Sequence, residues 1–135
     1  MDRMTLKCPV TIKAKVTDEL KRKMITEIQD GIKKVDLEIQ QVEFQGKRML
    51  TEQAKVDAQG LPALRQQIDM ERQKRLDFKN HLLQKLKETE AIENGSEVVQ
   101  GQLERLVEIK VGDDMQSIMN AEILLEDGKV VAFRN

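Results

Sequence analysis

The sequence predicts an α+β fold in which strands from both ends of the chain form one small antiparallel sheet or barrel, with a long antiparallel helical hairpin inserted between them. Three observations predict this fold. Residues 5–16 alternate between apolar and polar side chains, residues 17–95 carry apolar side chains at spacings of three and four, and alternation returns after residue 95. A period of two is typical of a half-buried strand, whereas spacings of three and four indicate a helix with a narrow apolar seam. The predicted sheet domain is therefore 1–16 with 96–135, and the predicted helical hairpin is 17–95.

The composition argues against several kinds of binding site. Charged residues make up 35% of the 135 residues, yet the net charge is only -1, which is typical of long solvated helices that carry both signs of charge. Trp and Tyr are absent, so large aromatic platforms for stacking bases or sugars are missing. No segment approaches the roughly 20 apolar residues of a membrane-spanning helix, and the N-terminus has no apolar stretch of signal-peptide length. We therefore expect a soluble, cytoplasmic protein that does not bind membranes.

The first predicted strand, TLKCPVTIKAKV, alternates along its whole length. Its polar side includes Pro9, which lacks an N–H group and therefore predicts an edge strand or a bulge. Its apolar side includes the only cysteine, Cys8, for which we expect a buried, inert thiol rather than a nucleophile. Thr17 then provides a predicted N-cap, and Asp18 and Glu19 place negative charge in a first helical turn, where the helix dipole favours it.

The stretch VDAQGLPAL predicts that the first helix ends and a second begins near residues 57–62. Gly60 favours the positive φ of a helix C-cap, and Pro62 fits the first turn of a new helix but not a helix interior. Two helices with narrow seams and a short connection are expected to pack as an antiparallel hairpin within one chain. The alternative is a single kinked rod that dimerises with a second chain.

The hairpin interpretation also predicts which residues of the two helices face each other. With the turn centred near Gln59, three facing pairs involve basic residues of the second helix: Arg75 with Glu43, Lys79 with Glu38, and Arg72 with Gly46. Exposed ion pairs contribute only about 0–1 kcal/mol each, so we expect them to determine the register more than the stability.

After residue 95 the pattern returns to strands. LERLVEIKV alternates, and GDDMQSIMN predicts a turn and a short helix near residues 113–120 with Asp113 or Asp114 as its cap. AEILLEDGKVVAFRN predicts two strands joined at Asp127-Gly128, because Asp-Gly between apolar runs favours a type I′ turn. The first strand is basic and the C-terminal strands are acidic, which favours pairing between them.

Two stretches resemble a known family: VTIKAKVTDELK near the N-terminus and VEIKVGDDMQSIMNAEILLEDGKVVAFRN at the end, with VGDD and AEILLEDGKVVAFRN the more specific parts. On these stretches, and over essentially its whole length, the chain resembles the YlqD-like family of uncharacterised bacterial proteins. The resemblance implies a small β domain with a helical insertion, and it implies no activity, since none is established for the family. Bacillar members are encoded near ribosome-maturation genes, which weakly implies a ribosome-related role.

No group of residues predicts catalysis, a cofactor or a metal. His81 is the only histidine and is expected to be solvated, and a zinc site would lack nitrogen and sulfur ligands. Asp113 and Asp114 lack the further alternating carboxylates of a calcium loop. Neither a phosphate-binding glycine loop nor a nucleophile elbow is present. We therefore predict a protein that is not an enzyme and has no small-molecule substrate.

Three binding hypotheses remain. In the first, the hairpin contacts another protein or mediates self-association, using Met70 and Phe78 outside the main seam. In the second, the basic cluster in ERQKRLDFKN binds RNA or a ribosomal particle, although neighbouring acids and the net charge weigh against it. In the third, the sheet edge captures a partner strand, although Pro9 and the lysines of the first strand guard that edge. The predicted contact surface comprises Met70, Arg72, Lys74, Arg75, Phe78 and Lys79.

Overall fold

The computed structural model describes all 135 residues and divides them into two units. The sheet unit comprises Met1–Arg22 and Ile92–Asn135, and the helical unit comprises Lys23–Ala91. In chain order the elements are β1 (Arg3–Lys15), α1 (Asp18–Val56), a 3₁₀ turn (Ala58–Gly60), α2 (Leu61–Glu90), β2 (Glu97–Lys110), α3 (Met115–Met119), β3 (Glu122–Glu126) and β4 (Lys129–Arg134). The prediction of an α+β fold, with one sheet built from both ends of the chain and long helices between them in sequence, is confirmed.

The four strands lie in the order β2-β1-β3-β4, and the sheet is mixed rather than antiparallel. β1 pairs antiparallel with β2 along its whole length, and β3 pairs antiparallel with β4, but β1 pairs parallel with β3. The prediction of a purely antiparallel sheet is therefore wrong at one of the three strand pairs. β3 runs opposite to β2 and lies on the other side of β1, so it must be parallel to β1.

Pro9 lies in a strand that has two neighbours over only part of its length. β1 is an inner strand, so the prediction of an edge strand is wrong for the strand as a whole. The pairing with β3 begins only at Thr11, whose N–H donates to the carbonyl of Ala121. Pro9 precedes Thr11 by two residues, so its backbone nitrogen points to the same side of β1 as that of Thr11. At Pro9 no strand pairs with β1 on that side. Its missing N–H group therefore breaks no hydrogen bond of the sheet.

The apolar side of β1 provides much of the core of the sheet unit. Three of its residues are buried: Cys8, Val10 and Ala14. Val16, just beyond the strand, is also buried, and its N–H donates to Ser96 while its carbonyl accepts from the N–H of Gly95. These two hydrogen bonds join the N-terminal and C-terminal segments of the chain where each leaves the sheet.

The connection between α1 and α2 contains no residue in the left-handed region. Asp57 is extended, and its carboxylate accepts a hydrogen bond from the N–H of Gln59. Gly60 has φ -79°, in the right-handed helical region, so the prediction of a positive φ is wrong. A Cβ at Gly60 would lie 2.7 Å from Nε2 of Gln53, the end of a flexible side chain that can move aside, so neither φ nor space requires a glycine there. Pro62 lies in the first turn of α2.

Within the helical unit, α1 buries one side of its surface. The buried residues of that side are Ile28, Val35, Ile39 and Gly46. A Cβ built on Gly46 would lie 2.8 Å from Cγ2 of Ile68, and one built on Gly31 would lie 3.4 Å from Cδ1 of Leu82. The earlier glycine of α1 therefore meets the later residue of α2, so the contacts between the two helices run in reverse sequence order.

We expect Gly128→Val to lower the stability of the sheet unit. Gly128 has φ +81° and Asp127 has φ +49°, as a type I′ turn requires, and a β-branched residue is strained at such an angle by roughly 1–3 kcal/mol. The melting temperature measured by circular dichroism checks this. Gly101→Val is the matched control, because a Cβ at Gly101 meets open space and its φ is not positive. Equal melting temperatures for the two variants would contradict the turn assignment.

A second pair of glycines tests the contact between α1 and α2. In a helix, alanine is favoured over glycine by about 1 kcal/mol, so Gly31→Ala should be neutral or stabilising. At Gly46 the new methyl group would overlap the stiff, β-branched Ile68, and overpacking costs roughly 1–3 kcal/mol. Urea unfolding should therefore give a lower free energy of unfolding for Gly46→Ala than for Gly31→Ala. The reverse order would show that the two helices do not approach closely at Gly46.

Candidate functional site

The predicted contact surface lies on α2, but its basic side chains already have partners. Three of them reach α1: Arg72 Nε lies 2.9 Å from Glu43 Oε1, Arg75 Nε lies 3.8 Å from Glu38 Oε2, and Lys79 Nζ lies 2.8 Å from Asp36 Oδ1. Lys74 lies 3.6 Å from the carboxylate of Glu71 on its own helix. The two apolar members, Met70 and Phe78, are about half exposed. The structure therefore separates this set into ion-paired cations and free apolar side chains.

The observed ion pairs also correct the predicted register. Glu43 pairs with Arg72 instead of Arg75, and Lys79 pairs with Asp36 instead of Glu38. Gly46 lies against Ile68 instead of Arg72. The displacement is close to one helical turn of α2.

The ion pairs reduce the positive charge that α2 presents to solvent. Arg75 also donates to the backbone carbonyl and to the carboxylate of Glu71. The hydrogen bond to the carboxylate holds the pKa of Glu71 below its usual value. A surface that binds nucleic-acid phosphates needs cations that are free to replace counterions. The four cations of the predicted cluster each lie against a carboxylate, so the geometry weighs against RNA binding at this place.

Two exposed apolar residues on α1 were missed by the sequence analysis. Leu37 and Phe44 are 60% and 64% exposed. They lie seven residues apart, outside the spacing of the buried seam, and a search for a second apolar repeat on the first helix could have found them. They belong to a different side of the helical unit from the ion pairs, because α1 makes those pairs through residues that flank its buried side.

A charged cluster crosses the sheet. Glu122 of β3 lies 2.8 Å from Lys13 Nζ and 3.0 Å from Arg134 NH2, and Arg134 also bonds Glu97 of β2 through both terminal nitrogens. The hydrogen bond from Arg134 holds the pKa of Glu97 below its usual value, and the one from Lys13 does the same for the pKa of Glu122. Glu97 in turn raises the pKa of Arg134. Both carboxylates are therefore structural ion-pair partners.

The remaining residues that could carry chemistry have local structural roles or stand alone. Asp114 caps α3 by accepting from the N–H of Gln116, and Asp113 accepts from the N–H of Lys110 at the end of β2. His81 is exposed on α2. No group of three or more His, Cys, Asp and Glu side chains could hold a metal ion.

None of the helices combines the length and the apolar character needed to cross a membrane.

Comparison with known proteins identifies a family but assigns no function. The model of the YlqD protein family matches residues 4–134. A crystal structure of a protein of unknown function from Synechococcus sp. WH 8102 is 29% identical, with a TM-score of 0.82; the match covers 98% of this chain and 95% of that one. No curated protein matches the chain significantly.

We expect the cluster around Arg134 to make the sheet unit sensitive to acid. The pKa values of Glu97 and Glu122 are lowered from 4.5 in the folded state, so their ion pairs stabilise the fold above pH 4.5. This stabilisation is lost as the pH falls through the lowered folded values. We expect Arg134→Gln to reduce the stability at pH 7 and to flatten the loss of melting temperature on acidification.

Arg105→Gln is the matched control for this experiment. Arg105 donates to the carbonyl of Ile118 and makes no ion pair, so its loss should lower the melting temperature by a similar amount at every pH. Parallel curves of melting temperature against pH for wild type and Arg134→Gln would rule out the role assigned to the cluster.

Proposed function

The chain belongs to the YlqD protein family, and we propose that it acts without catalysis, as an assembly or protein-contact module. In this proposal α1 and α2 form an antiparallel coiled-coil hairpin, carried by the small sheet, and the hairpin makes the contacts. Another protein or a second copy of the chain is the partner, and the place of action is the cytoplasm. The buried free thiol of Cys8 is compatible with that compartment.

The observation that carries the proposal is the set of exposed apolar side chains on the two long helices. Each of them is more than half exposed: Leu37, Phe44, Met70 and Phe78. Helices of a module with no partner would be expected to present polar residues on these sides. The contacts between α1 and α2 in reverse sequence order support the hairpin within one chain over the kinked rod.

The alternative is a ribosome-associated or RNA-associated accessory factor. It rests on the basic cluster of α2 and on the family resemblance. The ion pairs of Arg72, Arg75 and Lys79 with α1 weigh against it, because phosphates would have to displace three carboxylates. We therefore rank it second.

Capture of partners from a native extract by the tagged full-length chain tests the proposal. Capture is done at low and high salt, with and without RNase, and sedimentation measures the mass of the purified chain. Protein contact predicts either a stable oligomer or a protein partner retained after RNase treatment. A retained complex that disappears with RNase would favour the alternative.

A pair of matched variants shows whether the helices make the contact. Changing Leu37, Phe44, Met70 and Phe78 together to serine should abolish the retained complex or the oligomer. Leu106→Ser with Phe133→Ser is the control, because these side chains are even more exposed but lie on the sheet. Equal loss from both variants, or none from the first, would contradict a contact made by the helices.

A further inference from the structure

We propose that one side of α1 is a docking surface for an acidic amphipathic segment of a partner protein. This surface, the outer face of α1, consists of Lys33, Lys34, Leu37, Phe44, Lys47 and Arg48. The inference rests on the proposed function and deepens it, since it names the contacting side of the helices and the chemistry of the partner.

The outer face lies opposite the side of α1 that is buried. Residues nine apart in a helix point in opposite directions, because nine steps of about 100° make two and a half turns. Leu37 precedes the buried Gly46 by nine residues, and Phe44 follows the buried Val35 by nine. Both apolar side chains therefore point away from the packed seam, about 10 Å apart along the helix. All six residues of the outer face are exposed.

The ion pairs with α2 make the outer face basic. Between residues 33 and 48, α1 carries four basic and three acidic side chains, a net charge of only +1. The three acids are Asp36, Glu38 and Glu43, and each is ion-paired with α2. The four basic side chains, Lys33, Lys34, Lys47 and Arg48, make no ion pair. The surface around Leu37 and Phe44 therefore presents four unpaired positive charges. Two exposed acids, Asp30 and Glu52, lie at its two ends and leave its net charge positive.

This pattern selects the chemistry of the partner. Two apolar side chains one heptad apart fit a ridge of apolar side chains on another helix, and the flanking cations fit acidic residues beside that ridge. A second copy of the same face would bring like charges together and is excluded by repulsion. A nucleic-acid backbone would leave Leu37 and Phe44 uncovered, and two apolar residues are too few to hold a helix in a membrane interface.

Selection from a display library of random peptides against the immobilised full-length chain tests the proposal, because such a selection reports the preferred chemistry of a ligand directly. We expect enrichment of peptides with apolar residues at spacings of three, four or seven flanked by Asp or Glu. Affinities are then measured by fluorescence anisotropy for the best such peptide. The same assay includes a scrambled peptide, an RNA oligonucleotide, and vesicles of phosphatidylcholine with phosphatidylglycerol. Enrichment of basic or uncharged peptides, no enrichment, equal binding of the scrambled peptide, or tighter binding of RNA or vesicles would each overturn the proposal.

Two pairs of variants locate the site. We expect each of two double variants to lower the affinity for the selected peptide about tenfold or more. One is Lys33→Glu with Arg48→Glu, and the other is Leu37→Ala with Phe44→Ala. Lys85→Glu with Lys87→Glu on α2 and Leu106→Ala with Phe133→Ala on the sheet are the matched changes and should leave the affinity unchanged. Circular dichroism confirms that every variant is helical. A peptide with its Glu residues changed to Lys should bind the Lys33→Glu, Arg48→Glu variant more tightly than it binds the wild-type chain. Equal weakening by these control variants, or no rescue, would contradict the site.

The capture experiment with the helix variants distinguishes a failure of this inference from a failure of the proposed function. If partner capture depends on Met70 and Phe78 but not on Leu37 and Phe44, the helices still make protein contacts and only the outer face of α1 is wrong. If no helix variant affects capture, the proposed function itself fails.

Discussion

The ion pairs between α1 and α2 decide which charges the helical unit presents to its surroundings. By sequence the two helices are nearly neutral and carry both signs throughout. Arg72, Arg75 and Lys79 each pair with a carboxylate of α1, so these three cations of α2 are compensated while the cations on the far side of α1 are not. The energy of each exposed pair is small, about 0–1 kcal/mol, but together the pairs neutralise the three acids of α1 between residues 33 and 48. A surface with a definite sign therefore arises from a chain whose net charge is -1.

The close approach of the helices depends on small residues and on a compact turn. Gly46 leaves room for Ile68, and the turn at Asp57–Gly60 lets α2 begin at once after α1 ends. The turn also determines which residues meet, because each residue added to or removed from it moves every facing pair. The ion pairs then agree with the register that the turn and the glycine contact require.

The sheet unit depends in a similar way on β1. This strand supplies the buried Cys8, Val10 and Ala14, pairs with β2 along its whole length and joins β2 to the pair of β3 and β4. Beyond the ladder, the cluster of Lys13, Glu97, Glu122 and Arg134 connects the outer strands β2 and β4 across the sheet. Polar side chains thus link strands that the backbone hydrogen bonds do not join.

Sequence periodicity alone was sufficient for the kinds of element, their order and the α+β class, because these follow from local apolar spacing and from turn residues such as Asp127-Gly128. It also identified Met70 and Phe78 as exposed on α2. The parallel pairing of β1 with β3, the conformation of Gly60 and the pairing of Glu43 with Arg72 depended on the tertiary structure. Each is a long-range choice between arrangements that the same local pattern allows, and the balance among them is determined by turn length and by the space beside glycines. The outer face of α1 could not be predicted for the same reason. Whether Lys33 or Arg48 is left without a partner depends on which acids of α1 form ion pairs with α2, and the spacing of residues within one helix does not show that.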